Sequence, residues 1–192
     1  NIKVDFIATD GDRQYDSLHE NFFDIIFNLH KANMTFTQIV DEIANSKMLE
    51  IPISDFLHLI KILRSNLVKY GLVLDYKNSV ALRKEELNEY KMGKALEDMS
   101  SHGKMKDSYP FEIFSSTYIL KAIDKKQWSF IFYSIPFNLI INSIRNPHLS
   151  HDLRQFNLET GYYFILHYFY QYNKSLAPPI SRIGLIRIIN TI

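Results

Sequence analysis

The chain contains no cysteine, and only six glycines and six prolines occur in its 192 residues. Without cysteine it has no disulfide, no thiol nucleophile and none of the thiolate zinc sites that often staple small domains. This usage suits an intracellular protein. The glycines form neither G-x-G-x-x-G nor a P-loop, so no backbone cradle for phosphates is encoded. A G-x-S-x-G elbow and the kinase motif set are also missing. No uninterrupted apolar run approaches the ~20 residues of a spanning helix, and the aromatic stretch from Gly161 to Tyr172 is too short and too polar at its ends. No membrane partner is therefore expected. No charged-then-apolar leader opens the chain. It starts on Asn1, so it is expected to be a piece of a longer protein.

What is present is ample apolar material, 46% of the residues, with 22% charged and a net charge of +1. That balance predicts a folded chain with a real core and argues against both disorder and a surface saturated with nucleic acid. Charge is uneven. Residues 1–107 hold 14 Lys/Arg against 17 Asp/Glu, and residues 108–192 hold 8 against 4. The second part also carries 17 of the 27 aromatic residues. Two units are expected, 1–103 and 104–192, joined near Ser101–Ser108, where Gly, Ser, Lys and Pro cluster into the one plausible linker.

The periodicities predict a mainly α fold with small β-hairpins, an α+β arrangement of two winged-helix-like domains in tandem. "IKVDFI" reads as an opening strand or a loosely docked arm. Ser17-x-x-Glu20 has the form of a capping box before a helix whose face carries Phe22, Phe23, Ile26, Phe27 and His30. Thr35-x-x-Gln38 repeats the capping pattern before a second helix, and a loop through Pro52 is expected after it. A longer helix with Phe56, Leu59, Ile60, Leu63 and Leu67 on one stripe should end at Gly71. Two β-prone pieces follow, Leu72–Tyr76 and Ser79–Leu82, so the order is helix, helix, helix, hairpin. "KEELNEYKMGKALEDMSS" reads as a solvated helix of Glu-to-Lys pairs. In the second unit, helical segments are expected around 111–124, 127–146 (interrupted or kinked at Pro136) and 157–174. A short helix or strand closes the chain after Pro178-Pro179, and a second winged helix is one option for this unit.

No catalytic constellation emerges, so the chain is expected not to be an enzyme and to need no cofactor. His148-x-x-His151-Asp152 has metal-ligand residue types, but it lacks a third defined ligand and reads better as a loop and helix start. His167 reads as a core or interface histidine. Duplex recognition is the serious alternative, because the third helix of a winged helix enters the major groove and the wing touches the backbone. The exposed face of that helix should present Ser54, Asp55, His58, Lys61, Ser65 and Lys69, with Arg64 at its edge, and the wing Asp75, Lys77, Asn78 and Arg83. The cations are few and interleaved with acids, whereas affinity for phosphate scales with the cations that neutralise it. The second unit adds Tyr172, Lys174, Arg182 and Arg187, with tyrosines able to stack bases. Tyr162, Phe164, Phe169 and Tyr172 are better explained as core or protein interface. The candidate partner- or DNA-binding residues are thus His58, Lys61, Arg64, Ser65, Lys69, Tyr76 and Lys77 in the first unit, and Tyr172, Lys174, Arg182 and Arg187 in the second.

The span "TFTQIVDEIANS…ISDFLHLIKILRSNLVKYGLVLDYKNSVAL" resembles the carboxy-terminal winged helix of the middle subunit of replication protein A. The whole two-unit layout, ending on "RIGLIRIINTI", resembles the tandem winged-helix carboxy-terminal half of the Stn subunit of the CST telomere-capping complex of budding yeasts. That resemblance covers nearly the whole chain through layout and residue texture, and it transfers no individual binding residue. It implies a non-enzymatic protein-interaction module in the nucleus, at telomeres. Its implied partners are the telomeric single-strand DNA-binding subunit and DNA polymerase alpha–primase, with a Ten subunit held by an amino-terminal OB fold outside this chain. Direct nucleic-acid contact is expected to be weak. The alternative is a winged-helix DNA-binding regulator, or the recognition domain of a DNA-processing enzyme.

Overall fold

The structure, a computed structural model, describes residues 5–9, 13–46, 50–70, 72–75, 80–82, 93–172 and 182–192. Among these the fold is mainly helical. Strand β1 (Asp5–Thr9) leads through a 3-10 turn into α1 (Asp16–Lys31), then α2 (Phe36–Asn45), β2 (Glu50–Ser54) and α3 (Phe56–Tyr70). Strands β3 (Leu72–Asp75) and β4 (Val80–Leu82) pair antiparallel. Seven helices follow: α4 (Lys94–Glu97), α5 (Ser101–Met105), α6 (Ser108–Ile113), α7 (Ser116–Asp124), α8 (Trp128–Arg145), α9 (His151–Tyr172) and α10 (Arg182–Thr191).

The helix punctuation is chemical. Thr35 and Gln38 form the expected capping box, the Thr35 hydroxyl accepting from Gln38 N at 3.3 Å and the Gln38 amide oxygen accepting from Thr35 N at 2.9 Å. Ser17 and Glu20 form none: the 3-10 turn runs straight into α1, which starts at Asp16, two residues before a Ser17 cap would begin it, with no side-chain cap. Two helices end on non-glycine residues of positive φ, Asn33 (60°) after α1 and Lys126 (57°) after α7. In each case the residue's own N–H and the following one reach back to close a Schellman motif, as with Lys126 N to Ile123 O and Gln127 N to Ala122 O, both at 2.9 Å.

Several segments depart from the sequence reading. The expected loop through Pro52 is strand β2, which pairs in parallel with β1 in the register Asp5↔Glu50 to Thr9↔Ser54. A two-stranded sheet consists only of edges, where a proline is tolerated. β2 therefore joins β1 and not the β3–β4 pair. The solvated helix expected over 84–101 is interrupted in its described part: Gly93 at φ 113° starts the short α4, whose Ala95 and Leu96 are buried. The expected linker is helix α5, with Gly103 buried. A domain boundary at 103/104 falls inside that helix, and one hydrophobic cluster runs across it, from Phe22 and Leu63 to Phe137, Ile165 and Ile189. Among the described residues, 104–192 hold helices and no strand.

The halves interlock. α10 packs on α1, β2, α3 and α9, so the end of the chain lies against its beginning. α9 reaches α2 as well: Tyr163 OH accepts from Phe36 N at 3.2 Å, and Gln155 donates to Thr37 Oγ1 at 3.0 Å. The long pair α8–α9 forms the second layer. α8 runs unbroken through Pro136, which is buried, although proline lacks the N–H for the i−4 carbonyl. Packing accounts for this. α9 presents Gly161 to α8, and a Cβ placed there would lie 2.5 Å from Ile140 Cγ1 and 3.4 Å from the Pro136 carbonyl oxygen.

Alanine in place of a mid-helix glycine ordinarily gains up to ~1 kcal/mol. Here Gly161→Ala is expected to lose about 1–3 kcal/mol through overpacking against the fully buried Ile140. Urea unfolding of the single variant, and of a double-mutant cycle with Ile140→Ala, measures the coupling. Stability at or above wild type for Gly161→Ala would rule out this close helix crossing.

Candidate functional site

Helix α3 was the predicted recognition element, and its cations divide sharply. Asp55 caps the helix, its carboxylate accepting from Leu57 N at 2.9 Å. His58 and Lys69 are exposed and Ser65 is half-buried. Ser54 is not on this helix at all; it is buried in β2. Lys61 donates to Asp107 at 2.7 Å. Arg64, expected at the exposed edge, is 1% exposed, and that expectation is corrected.

Arg64 is held by main chain. Its Nε donates to Ala95 O at 2.5 Å, Nη2 to Asp98 O at 2.6 Å and Nη1 to Gly103 O at 3.5 Å, and its guanidinium carbon lies 5.0 Å from the Tyr109 ring centre. The guanidinium fork thus closes the carbonyl ends of α4 and part of α5, groups that a helix leaves unpaired. Burial lowers the Arg64 pKa, and the Asp98 charge opposes that shift. The Asp98 carboxylate is held below its ordinary range, first by the hydrogen bonds from the Ser100 hydroxyl and backbone N–H. Gly103 packs close beside it, and a Cβ there would overlap the carboxylate and make the Asp98 side chain shift.

A second polar cluster lies between α1, β1, β2 and α10, and the sequence reading missed it. His19 is fully buried, with Nε2 3.0 Å from Thr9 Oγ1 and 3.4 Å from Ser54 Oγ. Asn190 Nδ2 donates to the His19 carbonyl at 2.9 Å and lies 3.2 Å from Nδ1. Arg187, predicted as a partner or DNA contact, is 7% exposed and pairs with Asp16 at 2.5 Å, so its guanidinium is directed inward. A histidine beside two hydroxyls has the outline of a base with its nucleophile. The hydrogen bonds assign it otherwise. The carbonyl of His19 only accepts, which orients the Asn190 NH2 toward the ring. Nδ1 is then the acceptor, and Nε2–H donates to Thr9, leaving no lone pair to take a hydroxyl proton. The cluster is a buried clasp. Its signal was present in the sequence, since His19 continues the stripe of Phe22, Phe23 and Ile26 one turn earlier.

The remaining predicted residues are not brought together with these. Tyr76, Lys77 and Lys174 lie outside the described residues, and so do the side chains of Tyr172 and Arg182, which belong to α9 and α10. His151 and Asp152 sit in the first turn of α9, while His148 N donates to Asn146 Oδ1 at 3.0 Å. Among the described residues no three His, Asp or Glu side chains gather as a metal site, and no helix is long and apolar enough to cross a membrane. What the surface does carry is large apolar side chains on both sides of the α7–α8 turn. Leu120 and Ile123 are exposed on α7, and Trp128 and Phe132, one turn apart on α8, are 55% and 53% exposed.

Two outcomes follow from the buried groups. Arg64→Ala should cost about 3–5 kcal/mol by orphaning buried carbonyls, a loss readable in denaturant unfolding; a neutral variant would contradict the bonding described. Burial first, and then Arg187, lowers the His19 pKa from 6.5 to about 4, against the pull of Asp16. Unfolded chains take up this proton below pH 6.5 and the fold only near 4, so stability is full above that window and falls as pH drops through it, by about 3 kcal/mol in all. His19→Gln should flatten that pH slope whatever it does to absolute stability. The chain matches no protein-family model, no curated protein and no solved structure, so its role has to be read from these residues.

Proposed function

We propose that the chain is a non-enzymatic docking module whose partner is another protein. The observation that carries this reading is the exposure of Trp128 and Phe132, one turn apart on α8, with Leu120 and Ile123 exposed on α7. Large aromatics exposed on one helix face are costly to leave in water, and they are the residue types that anchor protein interfaces. The cations on α3 support the same choice, because Arg64 and Lys61 are engaged within the fold and a dense phosphate-binding stripe is not left on that face.

The specific form of this proposal is the carboxy-terminal half of a Stn-type telomere-capping subunit. It would dock the telomeric single-strand DNA-binding subunit and DNA polymerase alpha–primase in the nucleus, with the tandem winged-helix organisation as part of the reading. Its support is the resemblance in layout, together with a β3–β4 pair that directly follows α3.

Purified chain should bind duplex DNA only weakly at physiological salt in an anisotropy titration, while immobilised chain retains one of those named partners. Trp128→Ala with Phe132→Ala should weaken partner binding by about 2 kcal/mol or more, with the fold unchanged by circular dichroism. A tight, sequence-specific duplex complex at that salt would transfer the assignment to a DNA-binding regulator.

A further inference from the structure

A groove of about 420 Å³ runs between α6–α7 and the last turns of α8, within the size range of ligand sites. Its chemistry is one-sided. The Arg145 guanidinium carbon lies 3.8 Å from the centre of the Phe111 ring, a cation–π contact that steadies the charge against one wall of the groove. Arg64, Arg154 and Arg187 are each held by carbonyls or a carboxylate. Arg145 has no hydrogen bond or ion pair among the described residues.

One turn back, Asn142 donates one N–H to Asn138 Oδ1 at 3.2 Å, and Asn138 donates one to Phe114 O at 2.6 Å. Both amides are thereby oriented, and each keeps a second N–H. Ser116 adds a hydroxyl from the opposite wall, and no Asp or Glu lines the groove. A fixed cation among oriented donors, with no acid nearby, selects an oxyanion. A single positive charge balances one carboxylate, and the apolar walls of Phe114 and Ile141 suit a carbon chain beside it.

We propose that this groove binds the carboxylate of an acidic peptide segment, with Arg145 as its ion-pair partner and Asn138 and Asn142 donating to the peptide's carbonyls. The choice of a peptide over a free anion rests on the docking reading above. It places a second contact for a protein partner on α8, separate from Trp128 and Phe132.

The test is an NMR titration of the intact chain that follows the Arg145 Nε–Hε and the Asn138 and Asn142 side-chain amides. Three probes are compared: acetyl-Leu-Glu-Leu amide, its Gln counterpart and inorganic phosphate. The Glu peptide is expected to give saturable shifts of these signals, with about tenfold weaker binding for the Gln peptide and for the Arg145→Gln variant. If that variant does not fold, the Glu-against-Gln comparison on the wild-type chain decides alone. Equal response to both peptides, a response to phosphate only, or no response overturns the proposal. The docking reading itself stands or falls separately, on the Trp128 and Phe132 variants.

Discussion

The hold of Asn190 on His19 is the contact on which the rest of the architecture depends. Through it the last helix bonds to both the main chain and the ring of the first helix, across 171 residues of sequence. The same ring reaches Thr9 in β1 and Ser54 in β2, so four elements meet on one imidazole. Thr191 extends the clasp by accepting from Ser54 N at 3.2 Å, and Arg187 adds its pair with Asp16. Apolar surface alone would let α10 slide along its neighbours, because the hydrophobic effect is non-directional. Buried polar groups permit few placements, since each must find a partner of the right kind.

Arg64 does comparable work on the other side of α3. The segment from Gly93 to Met105 contains two very short helices, neither able to persist by its own propensity. A guanidinium fork reaching three of their carbonyls gives the segment a fixed course over the core. The price is a cation withdrawn from the surface of the helix that would otherwise have been the obvious place to read DNA. Structure and function are linked at this residue: the same charge serves either the fold or a phosphate backbone, and here it serves the fold.

Much of the local structure was legible because it depends on nearby residues. The Thr35–Gln38 capping box, the buried stripe of Leu59, Ile60, Leu63 and Leu67, and the apolar face of α1 all follow from spacing within one element. The parallel pairing of β1 with β2 was not legible, because it joins residues 45 positions apart and Pro52 signalled a loop. Pro136 left open an interruption or a kink, and of these the interruption does not occur, since α8 runs through it. The linker reading failed because Gly, Ser and Lys describe equally well a solvated hinge and a helix packed close against the Asp98 carboxylate.

The candidate site divides along the same line. Composition and spacing by themselves established a mainly helical chain without cysteine, phosphate loop or spanning helix, rich in aromatics toward its carboxy-terminal half. Those properties are sums over residues or patterns within a single helix. Tertiary structure alone decided which cations are available, turning Arg64 and Arg187 inward and leaving Arg145 stacked on Phe111 in an open groove. It alone decided which aromatics stay outside, since Tyr162 and Phe137 enter the core while Trp128 and Phe132 do not. Charge and hydrophobicity belong to a residue, but exposure is set by whichever distant element packs against it, and a single sequence does not display that.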